Sequence, residues 1–129
     1  MSDRLKVLVV DDDRMMVKTI CDILTIKGYE PVAAYCGEEA VEKVKAGRPA
    51  CVLMDLKIPG IDGVEALRVI REIDAELPVV LMSAYATEEK TAEAKRYGAC
   101  ALLSKPVDIQ GVLSLLSRFR GEPSEKHLI

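Results

Sequence analysis

The chain has 129 residues, half of them apolar and 30% charged, with 18 Lys+Arg against 21 Asp+Glu for a net charge of −3. That is the balance of an ordinary globular domain, and folding a chain of this size removes roughly two-thirds of its unfolded surface from water, so a core forms without disulfides or a structural metal. No apolar run approaches the ~20 residues of a membrane span, and slight acidity without clustered Lys/Arg argues against a nucleic-acid surface. With no Trp, four Tyr and one Phe, a base-stacking platform is excluded as well.

The chain alternates short apolar runs with longer amphipathic ones. Leu5–Val10 is almost continuously apolar, as a strand buried on both faces should be. Lys6 interrupts it and three aspartates end it, so it is no signal peptide. From Arg14 to Lys27, Met16, Ile20, Ile23, Leu24 and Ile26 recur at helical spacing, and Gly28 supplies a stop. Pro31–Ala34 reads as a second strand, and Glu38–Ala46 as a helix bracketed by Gly37 and Gly47. Cys51–Met54 is a third strand ending at Asp55, followed by a Pro- and Gly-containing loop over 57–63.

Val64, Leu67, Ile70 and Ile73 line one face of a third helix, and Pro78–Met82 is a fourth strand. Thr87 is placed to cap a fourth helix running to Tyr97 and stopped by Gly98. Ala101–Leu103 is a weak fifth strand, Asp108 can cap a last helix, and the polar stretch from Gly121 is expected to fray. Cys21, Cys36, Cys51 and Cys100 form no C-x-x-C pair and have no His at ligand spacing, so buried or half-buried free thiols and a cytoplasmic location are expected.

Five strand–helix pairs predict an α/β fold: a doubly wound, five-stranded parallel sheet of order 2-1-3-4-5, the flavodoxin-like (βα)5 arrangement. Such a sheet binds ligands beyond the carboxyl ends of its strands. Strand one delivers Asp11, Asp12 and Asp13 there, strand three Asp55, strand four Ser83 and strand five Lys105. Any one of these residues alone is an ordinary cap, turn or solvated charge. Together they crowd carboxylates, which raises at least one pKa unless a cation intervenes. Removing one carboxylate, such as that of Asp11, is expected to relieve the repulsion. Lys105 supplies one positive charge, and the remainder suits Mg²⁺, a hard ion that prefers carboxylates, a carbonyl and waters. A carboxylate beside that ion, a hydroxyl and an ammonium is suited to accepting a phosphoryl group, with Asp55 as nucleophile.

The runs VLVVDDD, MDLKIPGIDG, LMSA and LLSKP, in that order, resemble the receiver domain of bacterial two-component response regulators, most nearly the single-domain chemotaxis and sporulation-phosphorelay type. The resemblance covers residues 4 to about 119. It implies Asp55 as phosphoacceptor, Asp11 and Asp12 as the acidic pair holding Mg²⁺ with Asp55 and the Lys57 backbone carbonyl, Ser83 as the hydroxyl moving toward the phosphoryl oxygens, and Lys105 as their cationic partner. It also implies a cis bond from Lys105 to Pro106. Asp13 falls outside the acidic pair and reads as a helix-start residue. The implied partners are a histidine kinase or histidine phosphotransfer protein and a downstream protein target, with no direct nucleic acid and no membrane insertion. The role is that of a signalling domain rather than an enzyme, with at most self-phosphorylation and slow autodephosphorylation.

Leu102 stands where many receivers carry a Tyr or Phe that turns inward on activation, so coupling is expected to run through Ser83 and the loop after it. Lys57 and Tyr85 occupy positions that flank the path of an attacking water, and a bulky pair there implies a long-lived phospho-Asp55. The lone His127 lies in the tail and is no donor. Met15 and Met16 open the first helix, one expected in the core and one exposed. A receiver domain over 1–120 leaves 121–129 as a tail or the start of a linker. The chain is therefore expected to act through another molecule, or to be the receiver of a longer regulator with a DNA-binding or enzymatic output domain. A pseudo-receiver is disfavoured by the intact set of residues. An aspartate-nucleophile phosphatase is a remote alternative, because Met15 breaks its motif and no cap domain fits.

Overall fold

The computed structural model describes residues 4–119. Strands β1 (Lys6–Val10), β2 (Glu30–Ala34), β3 (Cys51–Asp55), β4 (Val79–Ser83) and β5 (Ala101–Ser104) alternate with helices α1 (Arg14–Ile26), α2 (Gly37–Gly47), α3 (Gly63–Ile73), α4 (Glu88–Arg96) and α5 (Ile109–Phe119). All strand pairs are parallel, in the order β2-β1-β3-β4-β5. This is the doubly wound sheet expected from the sequence. The expected tail over 121–129, with His127, lies outside the described residues.

The near-continuous apolar strands follow from burial on both faces. Alternate residues of one strand point to opposite sides, so Leu8, Val10, Val52, Met54, Val79 and Leu81 face one core with α2, α3 and α4. Val7, Val9, Leu53, Val80 and Met82 face the other with α1 and α5. Each fully buried Val or Leu contributes on the order of 1.5–3 kcal/mol relative to exposure, which fixes the strand registers. The helices differ in how firmly they share in this. α3 buries Val64, Ala66, Leu67 and Ile70, whereas Ala94 is the buried residue of α4.

Local signals set the helix starts. Asp13 is the N-cap of α1, its carboxylate accepting from the Met16 amide at 3.1 Å, as its position outside the acidic pair suggested. Thr87 caps α4 through the Lys90 amide, and Asp108 accepts from the Gln110 amide at the start of α5. Met16 packs into the second core while Met15 is 73% exposed, the split expected of that pair.

Two expectations are corrected. Gly37 and Gly47 are the first and last residues of α2 rather than flanking it, and the cap falls on Arg48, which adopts φ +45° and whose amide still reaches the Val44 carbonyl. Pro49 forbids continuation, so the reversal falls on the residue before it despite its side chain. The four thiols are free, but Cys100 is exposed rather than buried, because the turn before β5 leaves the edge of the sheet open. Cys51 is the inert extreme, since burial, with a smaller push from Cys100, drives its thiol up to about 12. Arg48→Gly should relieve the left-handed strain and stabilise the fold by up to about 1 kcal/mol. Urea unfolding checks this, and a loss of stability would show that the Arg48 side chain contributes more than its backbone costs.

Candidate functional site

The order of the sheet makes β1, β3, β4 and β5 consecutive neighbours, so their carboxyl ends deliver Asp11, Asp55, Ser83 and Lys105 to one edge. The structure brings all four together. Asp11 is fully buried, and Asp55 and Ser83 are 6% and 7% exposed. Lys105 Nζ lies 2.6 Å from Asp11 Oδ2 and 2.9 Å from Asp55 Oδ2, joining two carboxylates that approach from different strands. The Lys105–Pro106 peptide is cis, and the Lys105 amide donates to the Ser83 carbonyl at 2.9 Å, tying the end of β5 to β4.

The carboxylates are not equivalent. Asp11 is matched on both oxygens, Oδ1 accepting the Asp13 amide at 3.0 Å and Oδ2 the Lys105 ammonium. Asp55 receives Lys105 on Oδ2 and only a long 3.3 Å contact from the Lys57 amide on Oδ1. Burial pushes its pKa above the ordinary carboxylate value, and the charge of Asp11 adds to that, against the opposing hydrogen bonds from Lys105 and Lys57. Burial also works against the charge of Lys105, but Asp11 and Asp55 outweigh it and hold the ammonium above its usual range.

Asp12 projects at the rim, exposed, and Asp11, Asp12 and Asp55 offer oxygens within 4.8 Å of one another. Three hard oxygen donors with one open side fit a hard divalent cation such as Mg²⁺, which keeps several of its waters. They do not fit zinc or copper, which favour nitrogen and sulfur ligands.

From this edge a cleft of about 870 Å³ opens between the β3–α3 and β4–α4 loops, with Asp12, Asp55 and Ser83 at its base. Lys57 and Tyr85 both line it, and Tyr85 is 91% exposed. The Tyr85 amide donates to Ser83 Oγ at 2.9 Å, which orients the hydroxyl. Leu102 pairs with Leu81 in the sheet and packs, half-buried, against the first core. Sequence reasoning overlooked Asp62 and Lys90, which form the outer walls of the cleft and meet at 3.1 Å. The D-G-x-E spacing of Asp62 to Glu65 signals a helix cap, and Asp62 Oδ1 does accept the Glu65 amide at 2.9 Å. Nothing in the sequence signals Lys90.

The response regulator receiver domain model matches residues 7–117. The chain belongs to that family. It is 33% identical over 114 residues to sporulation initiation phosphotransferase F of Bacillus subtilis, covering 88% of this chain and 92% of that one. It is 37% identical over 114 residues to the chemotaxis protein CheY of the same organism, covering 88% and 95%. A CheY-like receiver domain protein from Methanospirillum hungatei superposes with a TM-score of 0.87 at 26% identity, over 90% of this chain and 93% of that one. In other relatives the matched segment is only 24% or 26% of a longer chain. This receiver domain is thus a two-component signalling module rather than a catalytic enzyme, and these relatives are phosphorelay and chemotaxis receivers.

A carboxylate with a raised pKa holds its proton more tightly in the folded than in the unfolded chain. Its penalty is absent at acid pH, appears as pH rises through the unfolded value near ~3.9, and is complete above the folded value. Asp55→Asn in this receiver should therefore raise the melting temperature of the metal-free protein at pH 7, with the gain vanishing toward pH 3. Thermal unfolding across that range checks it, and a gain independent of pH would point to packing instead.

Proposed function

We propose that this receiver accepts a phosphoryl group on Asp55 from a phosphohistidine of a histidine kinase or histidine phosphotransfer protein. The observation that carries the reading is Asp55 itself. It is a carboxylate at the base of an open cleft, held by Lys105 on one oxygen and only loosely occupied on the other. In-line attack by that carboxylate forms a P–O bond as the P–N bond to the donor imidazole breaks, and the bonding pair returns to the ring nitrogen. Lys105 stays beside the acceptor and offsets the charge that arrives. Ser83, its hydroxyl at the cleft base, donates to a phosphoryl oxygen, a preorganised contact of the kind that lowers such barriers.

Asp11, Asp12 and Asp55, with the Lys57 backbone carbonyl, would hold Mg²⁺. When bound, the ion supplies charge neutralisation for the phosphoryl oxygens. Lys57 and Tyr85 would flank the approach of water and prolong the phosphorylated state. With Leu102 in place of a rotating aromatic ring, the signal would pass through Ser83 and the β4–α4 loop to a downstream protein target. The domain would occupy 1–120, and unpaired thiols support a cytoplasmic setting. Among the described residues no helix is long and apolar enough to cross a membrane. A second reading, the receiver of a longer regulator, is favoured by the relatives in which the match is about a quarter of the length.

Intact mass spectrometry after incubation with acetyl phosphate should show a single phosphoryl adduct that requires Mg²⁺ and is absent in Asp55→Asn. No adduct in the wild type under any condition would overturn the assignment. Once the adduct forms, Lys57→Asn should shorten its lifetime several-fold, and an unchanged decay would remove Lys57 from the path of the water.

A further inference from the structure

We propose that the ion pair between Asp62 and Lys90 is a latch across the mouth of the acceptor cleft. It holds the amino-terminal half of α4 in place, with the carboxyl-terminal end of α4 fixed as a hinge by Arg71. The signalling consequence rests on the phosphoacceptor reading above, whereas the latch and hinge rest on the geometry alone.

The starting observation is that α4 is weakly held by the core. Its buried residue is the small Ala94, while α3 beside it buries four side chains. What fixes α4 is polar and unequal at its two ends. At the carboxyl-terminal end, the Arg71 guanidinium of α3 donates to the Tyr97 carbonyl at 2.9 Å and the Gly98 carbonyl at 2.9 Å. It also reaches Leu77 at 2.7 Å and Asp74 at 3.3 Å in the turn before β4. A planar five-donor fork spread over four carbonyls fixes position as well as charge. Gly98, at φ +81°, leaves room for it, since a side chain there would meet the Arg71 guanidinium at 3.2 Å.

At the amino-terminal end, among the described residues, the tie to another element is one exposed ion pair. Lys90 Nζ reaches Asp62 Oδ2 at 3.1 Å, with Glu93 a looser neighbour at 3.7 Å, and both partners of the main pair are nearly half exposed. Asp62 divides its oxygens, Oδ1 capping α3 through the Glu65 amide and Oδ2 reaching across to α4. A lysine in the first turn of a helix opposes the macrodipole, which favours the neighbouring Glu88 and Glu89 there instead. An acidic partner on the opposite wall compensates it.

The same residue closes a connected path from the site. The Tyr85 amide binds Ser83 Oγ, the loop runs to Thr87, Thr87 Oγ1 accepts the Lys90 amide, and the Lys90 side chain returns to Asp62. Asp55, Ser83, Asp62 and Lys90 all line one cleft. Any shift of the Ser83 loop therefore pulls on the latched end of α4 while the clamped end stays put.

The test is hydrogen exchange on the full chain, with Lys90→Met and Asp62→Asn as variants, since Asn keeps the α3 cap and removes the charge. Both variants, and the wild type in 0.5 M NaCl, should raise exchange of the first two turns of α4 between about 1.5- and 5-fold, the factor set by one exposed ion pair. Protection at residues 97–100 and in α3 should hold, and Lys90→Arg should restore the wild-type pattern. Unchanged exchange in the variants, or equal loosening of both ends of α4, overturns the latch and hinge. The variants should also accelerate phosphorylation of Asp55 by acetyl phosphate by a similar factor, and faster exchange with an unaltered rate overturns the control of the cleft. If the wild type takes no phosphoryl group, the phosphoacceptor reading fails while the exchange result still decides the latch.

Discussion

Two carboxylates buried at the ends of adjacent strands are tolerable only because one lysine reaches both. Asp11 is fully buried and Asp55 nearly so, and Lys105 Nζ sits within hydrogen-bond distance of each. An unpaired charge so buried would cost several kcal/mol or titrate away. The arrangement therefore requires β1, β3 and β5 to end at the same level, and the sheet order with β4 between β3 and β5 provides this. Lys105 satisfies the acidic pair without cancelling it. Asp11 is fully matched, and the remaining penalty stays on Asp55. The more loosely held of the two is the one with a cleft in front of it, and that imbalance is what supports the proposed phosphoacceptor role.

Around that pair the rest of the molecule divides into firm and yielding parts. The strands and α3 are anchored by apolar burial on both faces of the sheet. The β4–α4 loop and the amino-terminal half of α4 are held chiefly by a cap and an ion pair near the surface, whose individual contributions are small. Elements that move in response to a ligand are drawn from the least stable parts of a fold. Here the least anchored helix is also the one reached from Ser83 through Thr87 and Lys90. Asp62 is the junction between the two parts. Burial pushes its pKa upward, but the Glu65 amide and the Lys90 ammonium outweigh this and keep its carboxyl below the ordinary range.

Much of this was legible in the chain itself. The apolar runs and their spacing locate every strand and helix within a residue or two, and the residues at the carboxyl ends of four strands point to Asp11, Asp55, Ser83 and Lys105. The misreadings have local causes. Gly47 looked like the stop just outside α2, yet it is the last helical residue, because Arg48 absorbs the left-handed turn before Pro49. Cys100, among small apolar neighbours, looked half-buried, yet its place in the turn before an edge strand exposes it. Lys90 went unnoticed, because its partner lies 28 residues away on another element.

What the sequence determined by itself is the order of the elements, the two-faced burial of the strands and the identity of the residues at their carboxyl ends. Those depend on periodicity and composition over a few neighbouring residues. Only the tertiary structure decided how partners are shared: that Lys105 reaches across 94 and 50 residues to two carboxylates, that Asp11 is held more closely than Asp55, and that α4 is clamped at one end and latched at the other. The physical reason is that a hydrogen bond or ion pair is set by distances of a few ångströms between elements remote in the chain. Local pattern says which groups arrive at the edge of the sheet, and packing says which of them meet.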